Sequence, residues 1–110
     1  MASPTRVRDL RRRLVIERAV SAPDGAGGFT ASWTEAGVAW AAMRLRRGAE
    51  AERAGRRGLD NVWAVVMRWR DDIDGQCRLR DGDRAFAILS RGDPDGRRRW
   101  LALTVREETP

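Results

Sequence analysis

Apolar and polar residues alternate with a period of two along most of the chain. This alternation is typical of β-strands that bury one face, because successive side chains of a strand point to opposite sides. The clearest example is residues 29–34, where apolar side chains alternate with threonine and serine. The faces predicted to be buried are Leu14, Ile16 and Val20; Phe29, Ala31 and Trp33; Trp63, Val65, Met67 and Trp69; Cys77 and Leu79; and Phe86 and Ile88.

Turn-forming residues separate these strands. Residues 23–28 and 92–96 are rich in glycine, proline and aspartate, and Asp81-Gly82 is a two-residue hairpin signal. Residues 38–45 and 100–105 form further extended stretches. Six or seven short strands with regular turns in 110 residues predict an all-β protein, a small closed or nearly closed β-barrel.

Residues 47–60 interrupt the alternation between the second and third main strands. They contain three glycines and, apart from Leu59, no bulky apolar side chain. Ordering this stretch costs about 14–28 kcal/mol of backbone entropy, which its composition does not offset against its own barrel. We therefore expect residues 46–61 to form one long loop that orders only against neighbouring subunits. A plain surface loop is the alternative.

The length of 110 residues suits a single domain over residues 1–110, with residues 1–9 as an N-terminal arm. No apolar run reaches the ~20 residues of a membrane-spanning helix, and the arginine-rich N-terminus does not resemble a secretory signal. These features predict a soluble protein that is assembled in the cytoplasm and has no membrane partner.

The formal net charge is +6, and all 22 basic residues are arginine. A GC-rich genome explains the preference for arginine more simply than selection for its chemistry. The positive charge nevertheless favours contact with nucleic acid or with acidic protein surfaces.

The residue types needed for most catalytic and metal sites are missing. The chain has no histidine, and its single cysteine, Cys77, is predicted to be a small buried hydrophobe. Asp71, Asp72 and Asp74 lack the spacing of a calcium loop and are interpreted as an inter-strand turn. The glycine-rich residues 25–28 lack the Lys-Ser/Thr of a phosphate-binding loop. We predict no enzyme, no metal site and no cofactor.

Five tryptophans raise an alternative function, a monomeric OB-like barrel that binds single-stranded nucleic acid by stacking bases on aromatic rings. That function requires exposed aromatic residues beside a basic groove. Trp33, Trp63 and Trp69 instead fall on predicted apolar faces, and the pattern does not assign Trp40 and Trp100. Burial in the core is therefore favoured, and nucleic-acid binding ranks second.

Several short motifs occur in order along the chain. They are Leu-Arg-x-Arg before an apolar strand at residues 10–16, Gly-Gly before a Thr/Trp strand at residues 27–33, Trp-Ala-x-apolar-Arg at residues 40–44, a loop with Glu50 and Glu52, Arg-Trp-Arg at residues 68–70, and a hairpin leading to aromatic-x-Ile at residues 83–88. In this order and spacing they make residues 10–106 resemble the head-closure (stopper) proteins that join head and tail in long-tailed phages and gene transfer agents.

The resemblance implies a structural protein of a phage or gene transfer agent particle, located at the head-tail interface. It implies a β-barrel that forms a homo-oligomeric ring, a hexamer or else a dodecamer. The ring would lie between the portal and adaptor proteins on the head side and the tail terminator protein on the tail side. In such rings the long loop, here residues 46–61, faces the channel that holds the packaged double-stranded DNA.

Three groups of residues become candidate contacts through this resemblance. The candidates for contact with DNA in the channel are Arg53, Arg56 and Arg57. The candidates for contacts between subunits are Glu50 and Glu52. The candidates for docking to the adaptor are Arg6, Arg8 and Arg11, for which a frayed terminus is the alternative.

Overall fold

The computed structural model describes residues 6–46 and 61–108. The predictions for Glu50, Glu52, Arg53, Arg56 and Arg57, and for residues 1–5 of the N-terminal arm, lie outside the described residues. Within the described ranges the chain forms a short 3-10 turn and six strands, and no helix there is long and apolar enough to cross a membrane. The elements are the turn Val7–Asp9, β1 (Arg12–Pro23), β2 (Phe29–Leu45), β3 (Val62–Arg68), β4 (Cys77–Asp81), β5 (Arg84–Gly92) and β6 (Trp100–Glu108).

The six strands form one closed antiparallel barrel. Their order around it is β1-β2-β3-β6-β5-β4, and β4 pairs with β1 to close the ring of strands. The predicted all-β barrel is therefore confirmed. Its strand number is six because residues 29–34 and 38–45 belong to a single long strand, β2. The long segment that follows β2 joins it to β3, as the sequence predicts.

The barrel interior is filled by side chains from all six strands, together with Ile73 from the connection between β3 and β4. Full burial of a side chain such as leucine, isoleucine or phenylalanine contributes about 1.5–3 kcal/mol. The predicted core positions in β3, β4 and β5 are confirmed, with Trp63, Trp69 and Ile88 partly buried against it. The buried apolar residues are Leu14, Ile16, Ala39, Ala41, Val62, Val65, Met67, Ile73, Cys77, Leu79, Phe86, Leu101, Leu103 and Val105.

The predicted hairpin between β4 and β5 is a two-residue turn. Asp81 pairs with Arg84, so that Gly82 and Asp83 form the loop. Gly82 has a φ of 62°, the left-handed conformation that a type II′ turn requires at its first loop position. Glycine adopts this conformation without steric cost, which explains the residue at this position.

A β-bulge divides β2 into two halves with opposite parity. Ile16 of β1 pairs with Gly37, but the next residue, Glu17, pairs with Glu35, so Ala36 is an extra residue in β2. An extra residue shifts the alternation of faces by one position. After the bulge the odd-numbered residues of β2 point into the barrel, whereas before it the odd-numbered residues point outwards.

The bulge overturns the predicted burial of Phe29, Ala31 and Trp33. They do share one face, but this face is the outside of the barrel, and Phe29 and Trp33 are 73% and 43% exposed. Val20 is also exposed, although it was expected in the core. Val20 is exposed because β4 pairs only with residues 15–18 of β1, so the β1–β2 hairpin extends beyond the closed barrel.

Candidate functional site

One end of the barrel is held together by Glu107 of β6. Its carboxylate accepts hydrogen bonds from Arg84 at 2.8 and 3.0 Å and from Trp63 Nε1 at 3.3 Å. The bonds from the Arg84 guanidinium lower the pKa of Glu107 to about 2, well below its ordinary value. The Arg84 guanidinium also lies over the Trp63 ring, 5.6 Å from its centroid. Three strands, β3, β5 and β6, are thus joined by one ionised group.

The segment between β2 and β3 leaves the barrel at this same end. The backbone N–H of Arg46 donates to Val62 O at 2.8 Å, and the backbone N–H of Glu107 donates to Asn61 O at 2.8 Å. The last described residue before the segment and the first after it are therefore both tied to the sheet. The predicted channel loop has a fixed base that is built from β2, β3 and β6.

The opposite end of the β2–β3 ladder carries a groove of about 490 Å³, which we call the Trp40 groove. It opens because β2 pairs with β3 only from residue 41 onwards. The apolar part of its lining includes Val7, Leu10, Trp40 and Trp69. Val7 and Trp40 are 56% and 55% exposed, so this apolar surface is open to solvent in the single chain.

Arg70 bridges the two walls of the Trp40 groove. Its Nη1 donates to Val38 O at 3.2 Å, and its Nε and Nη2 donate to the Asp72 carboxylate at 2.9 and 2.8 Å. These bonds to Asp72 lower the pKa of that carboxyl group. Gly37 leaves the space that Arg70 occupies, since a Cβ at position 37 would lie 2.9 Å from Arg70 Nη2. The open edge of β2 is therefore covered next to the bulge.

The described residues of the N-terminal arm lie beside the Trp40 groove. The Val7–Asp9 turn is closed by a bond from the Arg6 N–H to the Asp9 carboxylate at 3.0 Å. Arg11 Nε donates to Arg8 O at 3.2 Å. The structure thus brings the three predicted adaptor-contact residues, Arg6, Arg8 and Arg11, to one exposed turn next to an apolar groove.

The acidic residues that follow β3 form a turn, as the sequence predicts. Asp71 accepts a hydrogen bond from Trp69 Nε1 at 2.9 Å. Asp74 accepts one from the backbone N–H of Gln76 at 2.8 Å, which lowers the pKa of Asp74, and it pairs with Arg18 at 3.4 Å. Within residues 6–46 and 61–108, no group of three or more histidine, cysteine, aspartate or glutamate side chains is placed to hold a metal ion.

The outer face near the bulge carries a second charged cluster. Glu17 is only 7% exposed and lies between Arg78 at 2.8 Å and Arg80 at 3.3 Å. The Arg78 guanidinium also stacks on Trp33, 4.3 Å from the ring centroid. Trp33 is therefore held against the outside of the barrel and not in its core.

Sequence patterns do not identify Glu107 or the Trp40 groove. The sequence around Glu107 looks like that around any solvent-exposed glutamate, because its hydrogen-bond partners come from other strands. Trp40 lies between Ala39 and Ala41, which face inwards. Because tryptophan is more hydrophobic than alanine, the sequence alone does not show that the alanines, and not Trp40, are on the buried face. The pair Ala36-Gly37, where β2 bulges, is the one local signal that the alternation changes.

The sequence profile of a family described as phage head completion protein matches residues 5–108. The chain belongs to this family. It is therefore a structural protein of a phage-type head, and the resemblance predicted from its motifs is confirmed. A structural family also agrees with the predicted absence of catalysis.

Two solved structures share the fold. One is a chain of the virion of a native gene transfer agent particle, with a TM-score of 0.70 and 30% identity, covering 91% of this chain and 96% of that one. The other is a protein of Shigella flexneri 2a solved in solution, with a TM-score of 0.74, 22% identity and coverage of 96% and 98%. The second likeness concerns the fold alone. Among curated proteins, no sequence matches the chain.

Proposed function

We propose that the chain is a head-closure connector, which forms a ring between the portal and adaptor proteins and the tail, retains the packaged DNA and provides a docking surface for the tail. The observation that carries this proposal is the family match, because it extends over the whole described barrel. The similar chain in the gene transfer agent virion supports a place in such a particle. We assign the protein to the head-tail interface of a particle that is assembled in the bacterial cytoplasm.

The arrangement of the barrel supports a different function for each of its two ends. The Trp40 groove and the turn with Arg6, Arg8 and Arg11 lie at one end of the β2–β3 ladder. The base of residues 46–61 lies at the other. We assign the first end to the adaptor and portal proteins and residues 46–61 to the channel, and the tail terminator protein binds the face away from the adaptor.

In this proposal the channel segment meets double-stranded DNA through charge. Arg53, Arg56 and Arg57 contact phosphates, which fixes position without reading sequence. Glu50 and Glu52 pair with arginines of a neighbouring subunit. The ring is a hexamer, with a dodecamer as the alternative, and electron microscopy of particles distinguishes the two.

Retention of DNA tests the proposal. We expect the variant with Arg53→Ala, Arg56→Ala and Arg57→Ala to raise the loss of packaged DNA from tail-less heads, measured as the nuclease-sensitive fraction. A matched control removes three exposed arginines from the turn between β5 and β6, at residues 97–99, and should retain DNA like the unchanged protein. Equal retention by both variants would contradict the role of the channel segment, and absence of the chain from the head-tail junction would contradict the function.

A further inference from the structure

The β1–β2 hairpin continues past the closed barrel as a two-stranded ribbon, which we call the projecting hairpin and which comprises residues 19–35. β4 pairs with β1 only as far as Arg18, and five further residues of β1 extend about 17 Å at the usual rise of a strand. The tip is ordered, because the Asp24 carboxylate accepts hydrogen bonds from the N–H groups of Ala26 and Gly28 at 2.8 and 3.0 Å. The projecting hairpin is therefore a defined element of the single chain.

One open edge of the projecting hairpin belongs to β1. In an antiparallel sheet the N–H and C=O groups of successive residues point alternately to the two neighbouring strands. Ala19 donates its N–H to Gln76 O at 2.9 Å, on the side away from β2. Ser21, two residues further along, therefore turns both of its backbone groups to that same side, where no strand in the described part of the chain pairs with it.

The other open edge belongs to β2 and is longer. The even-numbered residues of β1 bond to β2 and pair there with even-numbered residues, as Val20 does with Ser32. Before the bulge, the odd-numbered residues of β2 consequently turn their backbone groups away from β1. Because β3 pairs with β2 only from Ala41 onwards, no described strand receives these groups. The residues concerned are Phe29, Ala31, Trp33 and Glu35.

Neither edge has much protection against pairing with another chain. Proteins shield edge strands with proline, with charged side chains or with a covering segment. Residues 29–34 contain no proline and no charged residue, and Pro23 occupies only the last position of β1. Arg70 covers the edge of β2 at Val38, on the barrel side of the bulge. A two-stranded ribbon is marginally stable in water by itself, so a further strand on each edge would stabilise it.

We infer that the open β1 edge of one copy of this chain pairs with the open β2 edge of the next copy, so that the projecting hairpins form one continuous sheet around the ring. The inference rests on the ring proposed above and names the contact that builds it. Rotation about a ring axis keeps the direction of every strand along that axis, so β2 of one copy runs antiparallel to β1 of the next. Two different edges make a head-to-tail contact, which repeats from copy to copy until the ring closes.

This contact leaves the other surfaces of the subunit available. It uses backbone groups at the edges of the projecting hairpin, so the Trp40 groove remains open to the adaptor. The side chain of Trp33 stays on Arg78, because only the backbone of Trp33 turns to the next copy. Closing the sheet around the ring pairs all the open edges at once, as closure does in a barrel.

Disulfide formation between two singly substituted chains locates the contact. Heads are assembled from equal amounts of an Ala22→Cys chain and a chain with Thr30→Cys, Ser32→Cys or Thr34→Cys, all at exposed positions of the projecting hairpin. Directly opposed residues of paired strands have Cα atoms about 4.5 Å apart, within disulfide range. The same residue in adjacent hairpins is two strands away, about 9.6 Å, and cannot be bridged.

Mild oxidation should link the two chains into covalent dimers in at least one of the three mixtures, and the mixture that responds identifies the register. Each variant oxidised alone should remain monomeric. No bond within one chain interferes, because each variant carries a single introduced cysteine and Cys77 is buried.

Proline substitutions test whether the backbone makes the contact. Ala31→Pro removes an N–H from the open edge and leaves the ladder between β1 and β2 intact. Introduced into the responding β2 variant, it should reduce the dimer about tenfold, because a backbone hydrogen bond is lost and the proline ring obstructs the partner strand. Ala31→Thr keeps the N–H and should leave the dimer unchanged. Ser21→Pro, placed on the β1 edge of the Ala22→Cys chain, should cause the same loss as Ala31→Pro.

The outcomes separate this inference from the function on which it rests. A ring seen by electron microscopy, with no linked dimer in any mixture, overturns the inference and leaves the proposed function standing. Dimers formed by one variant alone show that like edges meet and overturn it too, as does a strand of the adaptor seen along either edge. Absence of the chain from the head-tail junction overturns both the inference and the proposed function.

Discussion

At the scale of single residues, Glu107 shows how one charge secures the base of the proposed channel segment. Its carboxylate joins Arg84 of β5 to Trp63 of β3, while its backbone N–H holds Asn61. The side chain is 19% exposed, so solvent screens these interactions only in part. Loss of the charge weakens the contact between three strands at the point where the segment leaves them.

Glu107→Gln removes this charge and nearly preserves the shape. We expect it to lower the free energy of unfolding by about 1.5–3 kcal/mol at neutral pH, the range for hydrogen bonds to charged groups. Because the folded-state pKa of Glu107 is lowered to about 2, its contribution is full above its ordinary pKa and is lost as pH falls towards 2. Denaturant unfolding across this acid range should show the two proteins converging. Glu108→Gln, at the exposed neighbour, is the control, and a difference that does not depend on pH would contradict this explanation.

At the scale of elements, the alternation of residues predicts the strands but not the faces of all of them. In β3, β4 and β5 the apolar face is the buried face. The predicted core residues of these strands lie in stretches that pair with their neighbours without a bulge. In β2 one extra residue, Ala36, reverses the relation between sequence parity and the barrel interior. A bulge depends on pairing with a distant strand, so the local pattern shows only the small residues at 36 and 37 that permit it.

The reversal has a measurable consequence for stability. Trp33→Ala should lower the free energy of unfolding by only about 0.5–1 kcal/mol, the strength of an exposed contact with the Arg78 guanidinium. Met67→Ala removes a fully buried side chain and should cost about 2–5 kcal/mol, because it leaves a cavity. Chemical denaturation of the isolated chain compares the two variants. A cost for Trp33→Ala as large as that for Met67→Ala would place Trp33 in the core and contradict the bulge.

At the scale of the whole molecule, sequence motifs predict the barrel, the family and the clustering of arginines, but not which surfaces come together. Arg6, Arg8 and Arg11 are adjacent in sequence, so their grouping is evident from it. Their position beside Trp40 depends on the gap between β2 and β3, which arises only when the barrel closes. The open edges of the projecting hairpin likewise follow from where β3 and β4 stop pairing with it. A one-dimensional pattern contains neither relation.

The proposed docking to the head is tested by removing a positive charge from each end of the barrel in turn. Arg8 is exposed beside the Trp40 groove, and Arg44 is exposed on β2 close to the base of the channel segment. We expect Arg8→Ala to weaken binding of the purified chain to heads that lack it, and Arg44→Ala, with the same loss of charge, to leave binding unchanged. The effect of Arg8→Ala should diminish as salt rises, because the screening length falls from about 10 Å at 0.1 M to about 3 Å at 1 M. Binding that weakens equally in both variants would mean that net charge alone governs docking. Binding weakened only by Arg44→Ala would place the head at the opposite end of the barrel.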